Sequence, residues 1–219
     1  MKSTNTDSTS EEVAKILFEI GSVLFRPKNP FKFDSGILSP VYVDNRLLIS
    51  SPKYRRVVIN HLVKEIRKIG LPDVVAGTAT AGIPHAAWIA EKLNLPMVYV
   101  RSKPKEHGRG NQVEGSIKKG QRVLVVEDMV STAGSSAEVI KALRKLGAKV
   151  SDEVAIYSHG LKASKANLSK LNVKFHNLTD LESVANVAQK QGFLKDEQVK
   201  VILDWAKDPK NWGKKMGFE

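Results

Sequence analysis

Apolar residues recur at helical spacing early in the chain, at Val13, Ile16, Leu17, Ile20 and Leu24, and predict an amphipathic helix from Glu11. Ser10 is placed to cap this helix, and Pro27 and Pro30 to end it. The Ser/Thr-rich residues 1–10 read as a disordered tail. Residues 33–49 (FDSGILSPVYVDNRLLI) break into short alternating runs around Ser35-Gly36 and Ser39-Pro40, the pattern of a hairpin or short strands. A second amphipathic helix is predicted over 54–69, with Ser51 as candidate cap and Pro52 in its first turn.

Beyond Gly70 the period changes to a regular alternation. Short apolar runs at 73–77, 97–101, 122–127, 149–157 and 173–176 read as strands. Helical patterns occupy 83–93, 135–146, 179–189 and 196–205, with Asn94 and Gly147 closing the first two. This order predicts βαβ units and an α/β fold, with a mostly parallel central sheet flanked by helices. One domain over 1–219 is expected: the tail, a hood over 11–50, a core over 51–160, and a C-terminal strand and helices over 161–219. In such sheets ligands bind where strand C-terminal ends meet helix N-termini. The long stretch without period is 102–121, with Gly108, Gly110 and Gly115; a loop of that length is usually functional or disordered.

Composition narrows the chemistry. Among 219 residues, 35 Lys and Arg face 23 Asp and Glu, a net charge of +12 that suits nucleic acid, an anionic membrane or small phosphorylated ligands. The absence of cysteine removes disulfides, thiolate zinc sites and cysteine nucleophiles. Apolar runs such as 123–126 are too short to span a bilayer, and MKSTNTDSTSEE holds no apolar signal region, so a cytoplasmic location is expected. Two segments concentrate the charge. Residues 52–70 carry Lys53, Arg55, Arg56, Lys64, Arg67 and Lys68 against Glu65, the pattern of a solvated helix face. Residues 101–119 carry Arg101, Lys103, Lys105, Arg109, Lys118 and Lys119 against Glu106 and Glu114, and are not helical in pattern.

Three segments carry chemistry. In VLVVEDMVSTAGSS (123–136) a buried strand ends in Glu127 and Asp128, and Ser131, Thr132, Ala133, Gly134 and Ser135 lead into a helix. Small side chains there let a phosphate approach backbone N–H groups at a helix N-terminus. Two adjacent acids before that cradle point to vicinal hydroxyls, a Mg²⁺, or both; a plain strand–turn–helix with a Ser/Thr cap does not explain them. GTATAGIP (77–84) has the spacing of a Walker A loop but continues Ile83-Pro84 instead of Lys and Ser/Thr, which disfavours P-loop hydrolysis and leaves a second anion-binding turn. The basic loop RSKPKEHGRGNQVEG (101–115) fits a lid over a polyphosphate.

Together these segments resemble the type I phosphoribosyltransferases, whose substrate is phosphoribosyl pyrophosphate (PRPP), and within them the orotate phosphoribosyltransferase family. VEDMVSTAGSS is similar to the family's PRPP motif. FDSGILSPVYVDNR (33–46) is similar to its N-terminal Ser-Gly, Ser-Pro-x-Tyr-x-Asp-x-Arg element, and the segment 77–115 to its pyrophosphate loop and Lys-x-His-Gly lid. The resemblance implies that orotate and PRPP give orotidine 5′-monophosphate and pyrophosphate, with Mg²⁺ as cofactor bridged mainly by PRPP, in pyrimidine biosynthesis. It implies PRPP contacts at Arg101, Lys105, His107, Glu127, Asp128, Met129, Val130 and 131–135. Thr78, Ala79, Thr80, Ala81 and Gly82 would face pyrophosphate, and Ser131, Phe33, Ser35, Gly36 and Tyr42 would border orotate. Lys105, His107 and Asp128 would take the catalytic roles. The resemblance further implies a homodimer whose lid loop serves the neighbouring subunit, small-molecule substrates, and neither nucleic acid nor membrane as partner.

This chain departs from many relatives at Asp34, where they carry Lys, and at Ser102, also Lys in many. It carries no Arg in IYSHGL (156–161), where some relatives hold the orotate carboxylate with one. Two other readings stand beside the first: a purine-base phosphoribosyltransferase, and a non-enzymatic regulator that senses nucleotides on the same fold.

Overall fold

Helix α1 (Thr4–Glu19) opens the chain in the computed structural model, which describes residues 4–33, 35–102 and 112–218. The helix begins seven residues before the predicted start, so residues 4–10 are not a tail. Ser10 lies inside it and does not cap it: its hydroxyl donates to Ser183 Oγ at 2.8 Å, and Thr179 Oγ1 donates to the Ser10 carbonyl at 3.0 Å. Burial of Val13, Ile16 and Leu17 brings this turn against the C-terminal part of the chain, a tertiary constraint invisible in local pattern. The helix also ends well before Pro27, because Gly21 at φ 70° turns the chain in a conformation that suits a residue without Cβ.

Four short strands follow: β1 (Val23–Phe25), β2 (Phe31–Lys32), β3 (Leu38–Ser39) and β4 (Val41–Val43). β1 pairs with β4 and β2 with β3, both antiparallel, which builds the hood from two small ribbons. A 3₁₀ turn (Asn45–Ser50) leads into α2 (Pro52–Ile69), where Pro52 occupies the first turn and Ser51 makes no capping bond through its side chain.

Next come β5 (Val74–Thr78), α3 (Gly82–Leu93), β6 (Met97–Val100), β7 (Val113–Glu114) and β8 (Arg122–Val130). They are followed by α4 (Gly134–Lys145), β9 (Lys149–Ser158), α5 (Lys162–Lys170), β10 (Lys174–Asp180), α6 (Leu181–Lys190), α7 (Asp196–Lys207) and α8 (Pro209–Lys215). The main sheet runs β10-β9-β8-β5-β6-β7, parallel throughout except for the edge strand β7. Strand residues alternate between two apolar layers, as expected of a sheet covered on both faces. Val75, Leu124, Val126, Val154 and Ile156 pack with α2, α3, α6 and α7; Val74, Ala76, Val123, Val125 and Ala155 pack with α4 and α5. Among the described residues no helix is long and apolar enough to cross a membrane.

Three local differences have physical causes. β8 continues to Val130, because pairing with β9 carries Met129 and Val130 into the ladder. Thr179 and Asp180 end β10 instead of starting a helix, and the Asp180 carboxylate caps α6 by accepting from Ser183 N–H at 2.9 Å. Helix α5 has no predicted counterpart, since it buries only Ser164 and Leu168 and so carries almost no apolar period.

Candidate active site

β5 and β8 are adjacent and parallel, yet the chain leaves β5 toward β6 and leaves β8 toward β9 on the other side. Their C-terminal ends therefore open a crevice at a topological switch point. A cavity of about 370 Å³ sits there, lined by Thr78, Ala79, Thr80, Ala81 and the whole run 127–136. The two small-residue turns singled out in the sequence form its opposite walls. The Ala79–Thr80 peptide in one wall is cis.

Glycine is required where these walls meet. A Cβ on Gly82 would lie 2.4 Å from the Val126 carbonyl oxygen, so the first turn of α3 rests on the backbone of β8. In the other wall Ala133 occupies the cap position of α4 at φ 61°, with no side-chain cap. The hydroxyls of Ser131, Thr132 and Ser135 make no hydrogen bond to a described residue, which leaves them and the first N–H groups of α4 to an anion.

Several bonds hold the loop rigid from outside. Asn45, fully buried, donates from Nδ2 to the Asp128 carbonyl at 2.8 Å and accepts from Ser22 Oγ at 2.7 Å, which ties the hood to the end of β8. Asn167 Nδ2 donates to the Thr132 carbonyl at 2.9 Å, and His159 N–H to the Val130 carbonyl at 3.1 Å. Ser136 Oγ donates to buried Glu153 at 2.6 Å, anchoring the start of α4 to β9.

Burial shapes the acids. It pushes the Glu127 carboxyl well above its ordinary range, with Asp128 and Glu153 adding repulsion. Asp128 is pushed up to about 6 by burial, while backbone N–H donors and Arg46 oppose the rise. Glu153 is pushed up to about 7, again by burial, with its Ser136 bond opposing. A carboxyl that holds its proton more tightly in the fold stabilises it at low pH, and that contribution fades as pH rises through the raised pKa. The fade for Glu153 falls between the ordinary carboxylate range and about pH 7. Exposed acids whose pKa is lowered, such as Asp73 and Asp208, titrate below that window. Glu153→Gln, which keeps an acceptor for Ser136, is therefore expected to narrow the difference in stability between about pH 5.5 and about pH 8 by an amount on the order of 1–3 kcal/mol, read as a smaller difference in melting temperature. Melting curves at the two pH values check this; an unchanged difference would contradict it.

The base of the lid is also placed. Arg101 N–H donates to the Gln112 carbonyl at 2.9 Å, Gln112 Nε2 returns a bond to the Arg101 carbonyl at 2.9 Å, and Arg101 lies 3.7 Å from Glu114. Ala79 N–H donates to the Val100 carbonyl at 2.9 Å, so the end of β6 lies beside the 78–81 wall. Lys105 and His107 lie outside the described residues, as does Asp34. Phe33 packs against the core, Ser35 and Gly36 are exposed at the hairpin turn, and Tyr42 meets Phe31 at 5.5 Å between ring centroids. None of these four lines the cavity; they belong to the hood.

Residues 52–184 match the phosphoribosyl transferase domain family. The orotate phosphoribosyltransferase of Listeria monocytogenes is 47% identical over 208 residues, which cover 94% of this chain and 100% of that protein. The chain belongs to the orotate phosphoribosyltransferase family. The solved orotate phosphoribosyltransferase of Aeropyrum pernix superposes with a TM-score of 0.70 at 32% identity, covering 84% of this chain and 99% of that one. Leishmania donovani UMP synthase superposes with a TM-score of 0.75 at 29% identity over 90% of this chain, and the match spans 42% of the longer protein.

Family membership agrees with the type I fold expected from the motifs. It does not by itself point to Asn45, Asn167, Ser136, Glu153 or His159. Of these Asn45 and Ser136 lie in segments quoted for the resemblance, where they passed as parts of a motif and not as struts.

Proposed function

We propose that the chain transfers the phosphoribosyl group of PRPP to N1 of orotate, giving orotidine 5′-monophosphate and pyrophosphate on the route to UMP. The observation that carries this reading is the switch-point cavity: buried Glu127 and half-buried Asp128 beside a ring of hydroxyls and N–H groups, with a second anion wall opposite. A ligand with a phosphate at one end, hydroxyls in the middle and pyrophosphate at the other suits that order. Relatives carrying the orotate name over their full length supply the choice of base.

In this reading residues 131–135 hold the 5′-phosphate through backbone N–H and hydroxyl donors. Glu127 and Asp128 accept from the ribose hydroxyls through their carboxyl oxygens, in a buried site where such bonds are strengthened. The walls at 78–82 and Arg101, with Lys105 and His107 from the lid, meet the pyrophosphate. The C1′–O bond breaks with its electron pair leaving on pyrophosphate, and the orotate N1 lone pair forms the new N1–C1′ bond. The N1 proton of orotate passes to a pyrophosphate oxygen or to solvent as the N1–C1′ bond forms, and Lys105 opposes the charge that gathers on the leaving group.

Among the described residues no three His, Asp or Glu side chains gather into a metal cage. A cavity with Asp128 at its wall and free phosphate-binding donors fits a Mg²⁺ that keeps waters and is held chiefly by substrate oxygens. Bound there, Mg²⁺ supplies positive charge against the leaving pyrophosphate.

The test is kcat/KM for orotate, uracil, hypoxanthine and xanthine with PRPP. Orotate is expected to exceed the others by more than about a hundredfold, since its carboxylate gives the site a charged handle that uracil lacks. Preference for a purine would overturn the assignment.

A further inference from the structure

The matched family region ends at residue 184 and begins at 52, and the structure brings the two chain ends beyond it into contact. Helix α7 presents Trp205, which is buried, and its indole N–H donates to the Leu38 carbonyl at 3.0 Å. Leu38 lies in β3, the returning strand of the hood hairpin whose turn contains Phe33, Ser35 and Gly36. That hairpin has two paired positions, Phe31 with Ser39 and Lys32 with Leu38. A ribbon so short does not hold a fixed shape by its own pairing, so its position is set by what it rests on.

The indole is itself braced toward the phosphate loop. His159 meets Trp205 edge-on, with centroids 5.1 Å apart and planes at 79°. His159 Nδ1 shares a 3.0 Å hydrogen bond with the Tyr157 hydroxyl, and the His159 N–H holds the Val130 carbonyl at the end of β8. A continuous row therefore runs from the end of β8, through His159 and Trp205, to the hood hairpin. Phenylalanine would fill most of the same space; what tryptophan adds is the donor aimed at the hairpin backbone.

We infer that Trp205 is a positioning residue for the base: it fixes the hood hairpin relative to the end of β8 and the phosphate loop that follows it, and so the room in which orotate binds. The inference rests on the orotate reading of the site. Trp205→Phe is expected to raise the KM for orotate roughly five- to tenfold, the loss expected for one buried hydrogen bond, with the KM for PRPP and kcat within about twofold. Ile202→Val, on the same helix and fully buried, removes packing without removing a donor; it lowers the melting temperature and leaves both KM values unchanged. An unchanged orotate KM in Trp205→Phe, or KM values for orotate and PRPP rising together, overturns the inference. If Trp205→Phe does not fold, ¹⁵N-indole spectra of the wild-type protein decide: the Trp205 N–H signal shifts on adding orotate and holds still on adding PRPP alone, and a signal unmoved by orotate overturns it. Wild-type turnover is measured in the same assay, so a wrong substrate shows as no wild-type rate and a wrong role for Trp205 as an unchanged KM.

Discussion

Gly82→Ala is expected to lower the melting temperature by about 5–10 °C and to abolish most turnover, an overpacking cost on the order of 2–3 kcal/mol in a chain of this size. The new methyl would stand 2.4 Å from the Val126 carbonyl oxygen, a backbone atom of a central strand that has nowhere to retreat. Relief requires α3 to lift from β8, and that movement pulls apart the two walls of the cavity. Stability and activity fall together for this reason. Gly134→Ala is the matched control: its Cβ would find nothing nearer than Thr132 Oγ1 at 3.8 Å, and alanine favours the helix it opens. Thermal melts of both variants, with turnover of Gly82→Ala at saturating substrates, check the pair; equal losses of melting temperature in the two would contradict this packing account.

Lys105→Ala should act in the opposite way, lowering kcat by about a hundred- to a thousandfold, the range for removing one charge-stabilising group from a transition state, with the melting temperature within about 1 °C. The residue belongs to a charged, glycine-bounded loop and carries no apolar pattern, so its removal takes nothing from the two cores. If the lid serves the neighbouring subunit, as the family resemblance implies, mixing Lys105→Ala subunits with Asp128→Asn subunits restores activity. Random pairing gives mixed dimers one intact site each, about a quarter of wild-type activity overall in a twofold assembly. Full activity in Lys105→Ala alone would deny the lid any chemical role, and no restoration on mixing would place the lid over its own subunit's site.

The parts of the fold legible in the sequence are those written in consecutive residues. The strand at 122–127, its two acids and the small residues after them lie within one stretch, and the structure makes that stretch a wall of the cavity. The same holds for 77–82 and for the alternation that predicts a parallel sheet. The parts not legible are contacts between residues far apart in the chain. Asn45 reaches Asp128 across 83 positions, and Trp205 reaches Leu38 across 167. A lone Asn or Trp carries no periodic signal to betray such a partner. The start of α1 failed for the same reason, since Ser10 is held by Thr179 and Ser183 and not by its own helix.

The charge surplus resolves in a similar way. Of the basic residues on α2, Arg55 donates to the Ile49 carbonyl at 2.7 Å and lies over Trp88 at 4.3 Å, and Lys68 pairs with Glu65 at 2.8 Å. These are local packing and helix-surface contacts. The cations that bear on the proposed reaction are those of the segment 101–109, and the polar side chains lining the cavity itself are acids and hydroxyls.

The central claim is that N1 of orotate is joined to C1′ of PRPP in this cavity. The most direct measurement follows orotate absorbance and released pyrophosphate in one reaction with PRPP and Mg²⁺. The account predicts that both change together, one pyrophosphate for each orotate consumed, with orotidine 5′-monophosphate as the product. Pyrophosphate release without loss of orotate, or no consumption of orotate at all, would contradict it.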